Sequence, residues 1–144
     1  FEPGPLGPHK TTSRLAYHLA REEARVARAD ETLLVTPAGE VLEGAVSNVF
    51  VAVGGEVVTP PLASGILPGI TRALVLRLCA AAGIRAREQV LALAELRAAD
   101  EVFLTNSVQE VVAVGALDGR TLPARALAGR LLKAYRAEVA GAAS

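Results

Sequence analysis

Apolar positions along the chain change period several times, and each change predicts a new element. From 13 to about 28, Leu15, Leu19 and Val26 recur at helical spacing among abundant alanine, with Glu22 and Glu23 at polar positions. The pattern predicts a helix capped by Thr12 or Ser13. Strands follow. ETLLVT (31–36) is rich in β-formers and ends at the turn Pro37-Ala38-Gly39-Glu40, after which Val41 and Leu42 resume a short strand. SNVFVAV (47–53) is another strand, closed by a Gly54-Gly55 hairpin signal, with 56–59 returning from it. Pro60-Pro61 and LASGILPG predict a loop. A helix then starts near 69–71, runs to about Ala82 and stops at Gly83. Residues 84–90 read as a strand and 91–99 as a short helix. Residues 101–105 and 110–114 read as strands on either side of Asn106-Ser107, and Asp118-Gly119 as a turn. A closing amphipathic helix runs from Ala124 to about Ala140, with Leu127, Leu131 and Tyr135 on one face. Hairpins mixed with strand–helix–strand units predict an α/β fold on a mixed sheet.

The opening FEPGPLGPHK reads differently. Three prolines and two glycines in ten residues predict an interdomain linker or lead-in over 1–9, with one domain over 10–144. The chain begins with Phe1 and has no Met, which suggests a piece of something longer.

Composition narrows the function classes. With 51% hydrophobic and 21% charged residues in 144, the chain has the makings of a packed core, not of a disordered segment. Fifteen basic residues balance fifteen acidic ones, so no basic excess points to nucleic acid or an acidic membrane surface. Every apolar run breaks well before ~18 residues, and no basic-then-apolar leader is visible. A cytoplasmic protein is the expectation. The single cysteine, Cys79, has no internal disulfide partner and reads as a buried helix residue without a redox role. His9 and His18 lack a metal-ligand set, so no metal is expected.

Four places carry candidate chemistry. Lys10, one of two lysines, sits just before a helix start; the helix dipole there disfavours its charged form and favours a nucleophilic amine. Glu43, in VLEGAVSNVF, is an acid among apolar strand residues and needs a cationic or hydrogen-bonding partner if buried. SGILPGITR (64–72) turns a Gly-containing loop into a helix start at Ile70 and Thr71, which makes an anion cradle; it lacks the Gly-Lys pair of a P-loop. LTNSVQE (104–110) places Thr105, Asn106 and Ser107 at a strand end suited to ligand contact. Each feature alone also fits a solvated lysine, a strand-end acid, a capped helix or a polar turn. Together they offer an amine nucleophile, an acid for a ring nitrogen and an anion cradle. Pyridoxal phosphate needs all three.

The order of these motifs resembles the class IV (fold-type IV) pyridoxal-phosphate enzymes. KTTSR, LEGAVSNVF, GILPGITR and EVFLTNSVQEV carry the resemblance, which runs from Lys10 to the end of the chain. It implies the larger C-terminal domain of that family, with a barrel-like mixed sheet and flanking helices. It also implies roles. Lys10 is the Schiff-base lysine that moves the substrate proton. Glu43 keeps the pyridine nitrogen protonated. Ile70, Thr71 and Ser107 bind the phosphate, and Asn48 and Arg14 support the site. A homodimer acting on a small molecule is implied as well. Tyr17 and Tyr135 are expected to be packing residues. Within the family, branched-chain aminotransferases carry an EGxGEN-like segment and a tyrosine five residues after the lysine; here these are EGAVSN and Leu15. Lys10, Arg14, Leu15 and the TNS segment look more like 4-amino-4-deoxychorismate lyase, which forms 4-aminobenzoate and pyruvate for folate synthesis. A D-amino acid or branched-chain-type aminotransferase is the rival. The family's smaller N-terminal domain has no counterpart in these residues, and a non-catalytic binding fragment is a third expectation.

Overall fold

Ten strands and four helices arise from these patterns over residues 1–122 and 126–142, which the computed structural model describes. β1 (Leu33–Val35), β2 (Glu40–Gly44) and β6 (Leu91–Ala92) make a three-stranded sheet. The main sheet is built from β3 (Asn48–Val53), β4 (Glu56–Thr59), β5 (Ala86–Glu88), β7 (Glu101–Asn106) and β8 (Glu110–Ala113). Its order is β5-β4-β3-β7-β8. The β4–β5 pair is parallel and the others are antiparallel, so the sheet is mixed as expected. β9 (Ala116–Leu117) and β10 (Arg120–Thr121) form a hairpin across Asp118-Gly119. The helices are α1 (Leu15–Val26), α2 (Ile70–Ala81), α3 (Leu93–Ala98) and α4 (Ala126–Ala142). The expected start of the last helix at Ala124 lies outside the described residues. Among the described residues, the strands lie in open sheets and no closed barrel forms. No described helix is long and apolar enough to cross a membrane.

Period-two alternation explains why β3 is buried on both faces. Phe50 points to one side with its register partner Phe103, their rings stacked 5.0 Å apart. α2 and α4 cover that side through Val75, Cys79, Ala128 and Leu131. Val49 and Val51 point to the other side, against Val41, Leu91, Leu96 and Leu122. Glu101, buried at the start of β7, accepts the Leu127 and Ala128 amides in the first turn of α4 (3.1 and 2.6 Å). A strand carboxylate thus caps a helix that begins 25 residues later. Cys79 is fully buried, and burial pushes its thiol pKa up. Tyr135 packs on the same core.

Some expectations change. α1 begins at Leu15 after Arg14, with no side-chain cap from Thr12 or Ser13. Its larger aliphatics face outward: Leu15 is 71%, Leu19 57% and Val26 74% exposed. The buried face is Tyr17, Ala20 and Ala24, because small side chains let the helix lie close to β2 and the 65–67 loop. Residues 91–92 pair with β2 as a strand before α3 starts. The 1–9 segment contains a 3-10 turn at Gly4–Leu6 and packs on the body. The Phe1 ring meets Tyr17 edge-on at 5.1 Å, and Gly7 lies so close to the Gly65 carbonyl and Pro3 that no Cβ fits there.

Candidate active site

Glu43 is the centre of the site. It lies near the end of β2 facing away from solvent, 3% exposed. Its Oε1 accepts the Tyr17 hydroxyl (3.0 Å); its Oε2 accepts the Asn48 side-chain amide (3.2 Å) and the Leu67 backbone amide (3.0 Å). A carboxylate has about four acceptor positions, so three donors leave room for one more. Asn48 also donates to the Leu67 carbonyl (2.9 Å), tying β3 to the loop before α2. Gly69 sits against Asn48 Oδ1 with no space for a Cβ.

Burial pushes the Glu43 pKa up from its ordinary value of 4.5. The Leu67 amide, the Tyr17 hydroxyl and the nearby Arg14 charge pull it back down. Arg14 lies over the Tyr17 ring, 3.6 Å from its centroid. Burial and the Glu43 carboxylate push the Tyr17 phenol up to about 12. Tyr17 therefore packs, as expected, and also lines the cleft and donates to Glu43. The signal available in sequence was its position three residues after Arg14, on the same helix face.

The sign of the Glu43 shift yields a stability prediction. The folded chain holds this proton more tightly than the unfolded chain does. The contribution is complete below pH 4.5 and is lost as pH rises from there through the raised folded value. In thermal unfolding of the cofactor-free protein, the wild type should therefore lose stability relative to Glu43→Gln as pH rises through that interval. A constant difference would contradict the shift.

The start of α2 faces the same cleft. Gly69 precedes it, no side chain caps it and its first turn carries no acid. Backbone N–H groups there have no partner within the helix and meet the positive end of the dipole. Thr71 Oγ1 is buried without a hydrogen-bond partner, and so is Thr105 Oγ1 on β7. The register pairs Thr105 with Asn48. Sequence placed Thr105 at a strand end suited to ligand contact but gave it no phosphate-binding role; its unpartnered hydroxyl facing the cleft adds it. At the end of β7, Asn106 Oδ1 accepts the Val108 and Gln109 amides (2.9 and 2.7 Å), shaping the turn that carries Ser107.

A cleft of about 660 Å³ joins these groups. Lys10, Arg14, Glu43, Asn48, Ile70, Thr71 and Ser107, the residues singled out in sequence, all line it. Tyr17, His18, Thr105 and the 44–47 turn are also among its walls. Among the described residues, Lys10 has no ion-pair partner. The donor set fits pyridoxal phosphate. Two orphaned hydroxyls and an uncapped helix suit a phosphate, the open Glu43 acceptor position suits a ring N–H, and an unpaired amine suits an aldehyde.

Comparison with known proteins agrees with this chemistry. The chain is 39% identical over 113 residues to the D-alanine aminotransferase of Bacillus licheniformis, covering 78% of this chain and 40% of that protein. It is 40% identical over 101 residues to the branched-chain-amino-acid aminotransferase of Escherichia coli K12, covering 70% of this chain and 33% of the relative. It thus spans well under half the length of these relatives. The branched-chain aminotransferase of Thermoproteus uzoniensis, solved with norvaline, superposes with a TM-score of 0.91 at 34% identity, over 96% of this chain and 46% of that one. A Legionella pneumophila protein assigned as a 4-amino-4-deoxychorismate lyase gives 0.89 at 29%, over 94% and 51%. The family model for class IV amino-transferases matches residues 2–117. The chain belongs to the class IV aminotransferase family.

Proposed function

We propose that the cleft is the cofactor-binding and catalytic centre of a pyridoxal-phosphate-dependent enzyme that transfers an amino group from an amino acid to a keto acid. The observation that carries the cofactor reading is the convergence of Lys10, Glu43 and the uncapped α2 start on one cleft, and amino transfer is favoured because the relatives are mainly branched-chain and D-alanine aminotransferases. The family's homologues use pyridoxal phosphate, and a further branched-chain aminotransferase that superposes with a TM-score of 0.89 was solved with pyridoxamine 5'-phosphate. When bound, the cofactor supplies an electron sink for the carbanion formed next to the substrate nitrogen.

The chain's own residues supply the rest. Lys10 Nζ would hold the cofactor at its aldehyde, and when freed would be the base that takes the proton from the substrate carbon bearing the amino group and gives it up again as that group is transferred. Glu43, whose charged form Tyr17, Leu67 and Arg14 favour against the burial that raises its pKa, would face the ring nitrogen and keep a proton on it. Ile70 and Thr71 at the α2 start, with Ser107 and Thr105, hold the phosphate. Asn48 keeps Glu43 and the 67–69 loop in place.

A second reading, the 4-amino-4-deoxychorismate lyase, draws on EGAVSN, on Leu15 and on the Legionella structure. The two separate in one assay on the full-length enzyme loaded with cofactor. Amino transfer produces glutamate from 2-oxoglutarate and an amino-acid donor. The lyase releases 4-aminobenzoate and pyruvate from 4-amino-4-deoxychorismate. We expect the first; 4-aminobenzoate release without transfer would establish the second.

A further inference from the structure

Glu31 stands before β1, outside the cleft, yet its carboxylate makes four hydrogen bonds. Oε1 accepts the Thr32 and Ala45 amides (3.0 and 3.2 Å), and Oε2 accepts the Val46 amide and the Ser47 hydroxyl (3.3 and 2.8 Å). Three of these reach the 44–47 turn, which joins Glu43 to Asn48 and forms one wall of the cleft. Backbone bonds hold only part of that turn: Gly44 N donates to the Ser47 carbonyl and Ala45 N to the Thr32 carbonyl. The fit is close, since a Cβ on Gly44 would collide with Ser47 Oγ and with the Glu31 carboxylate.

We propose that Glu31 is a positioning residue for substrate, acting through the 44–47 turn, whose Val46 side chain it fixes at the cleft wall. The proposal rests on the functional reading above. Its logic is that a charged acceptor makes stronger bonds than a neutral one, and that one carboxylate bound to consecutive amides fixes their orientation. Val46 is 46% exposed and has little packing of its own to hold it. Neither Lys10 nor the α2 start touches Glu31 through any of these bonds, so substrate fit should depend on it more than covalent cofactor capture does.

The test uses the full-length enzyme with pyridoxal phosphate, and compares wild type, Glu31→Gln and Glu31→Ala. The expected result for Glu31→Ala is a KM for the amino substrate raised roughly tenfold, with kcat within about threefold. Borohydride labelling of Lys10 should be undiminished, and amide exchange at Ala45 and Val46 faster. Glu31→Gln keeps one acceptor oxygen and should fall between. An unchanged KM with unchanged exchange would overturn the proposal. So would a parallel loss of kcat, kcat/KM and Lys10 labelling, which marks general loosening. If wild type itself fails to label at Lys10, the cofactor reading fails; unchanged exchange in Glu31→Ala would then overturn the hold on the turn independently.

Discussion

Replacing Lys10 by alanine is expected to lower turnover of the cofactor-loaded enzyme by about 10²–10⁴-fold or more, because both nucleophile and proton carrier disappear. The site gives no substitute. Of the chain's two lysines, the other is Lys133 on α4, which does not line the cleft. Tyr17 is no replacement, since its phenol is held protonated to about 12 and donates to Glu43. A small primary amine added to the Lys10→Ala variant should restore part of the rate, since the cavity left is open to the cleft. Circular dichroism should show an intact fold, because the lysine is exposed and, among the described residues, makes no ion pair. Turnover within a few-fold of wild type would remove Lys10 from the mechanism.

Glu43→Gln should have the second largest effect, about 10²–10³-fold in turnover with weakened cofactor binding. The volume is kept, so the loss reports on charge. A neutral amide does not hold a proton on a ring nitrogen, yet it fits the same pocket: its oxygen can take the Leu67 and Asn48 donors while its NH2 group meets the Tyr17 hydroxyl, which can turn to accept. In that orientation no donor is left unpaired and a buried charge is removed, so the cost in stability is small. Kinetics should therefore change far more than unfolding free energy. Equal activity for the two proteins, with cofactor bound equally well, would contradict the assigned role.

Local signals explain what was legible in the sequence. Gly54 and Gly55 both take positive φ (56° and 83°), as a two-residue hairpin demands, and Gly83 (φ 68°) ends α2 where expected. The apolar runs of β3 and β7 predicted buried strands, and the four motifs meet in one cleft: Lys10 ahead of α1, Glu43 near the end of β2, Ile70 and Thr71 at the start of α2, and Ser107 just after β7. What was missed depends on partners distant in sequence. Tyr17 reads as one more apolar helix position, and its bond to Glu43 spans 26 residues. Glu31 opens the ETLLVT segment and carried no signal of its own, because three of its four partners lie 14 to 16 residues further on. Leu91 and Ala92 form a strand only because β2 offers an edge. The outward aliphatic face of α1 shows that helical periodicity marks a face without saying which face is buried.

The central claim is that Lys10 holds the cofactor. Borohydride reduction of the full-length protein incubated with pyridoxal phosphate, followed by peptide mass mapping, tests it most directly. The account predicts a pyridoxyl group on Lys10, with Lys133 on α4 unlabelled as an internal control. Folded protein that carries no label on Lys10, or equal labelling of both lysines, would contradict it.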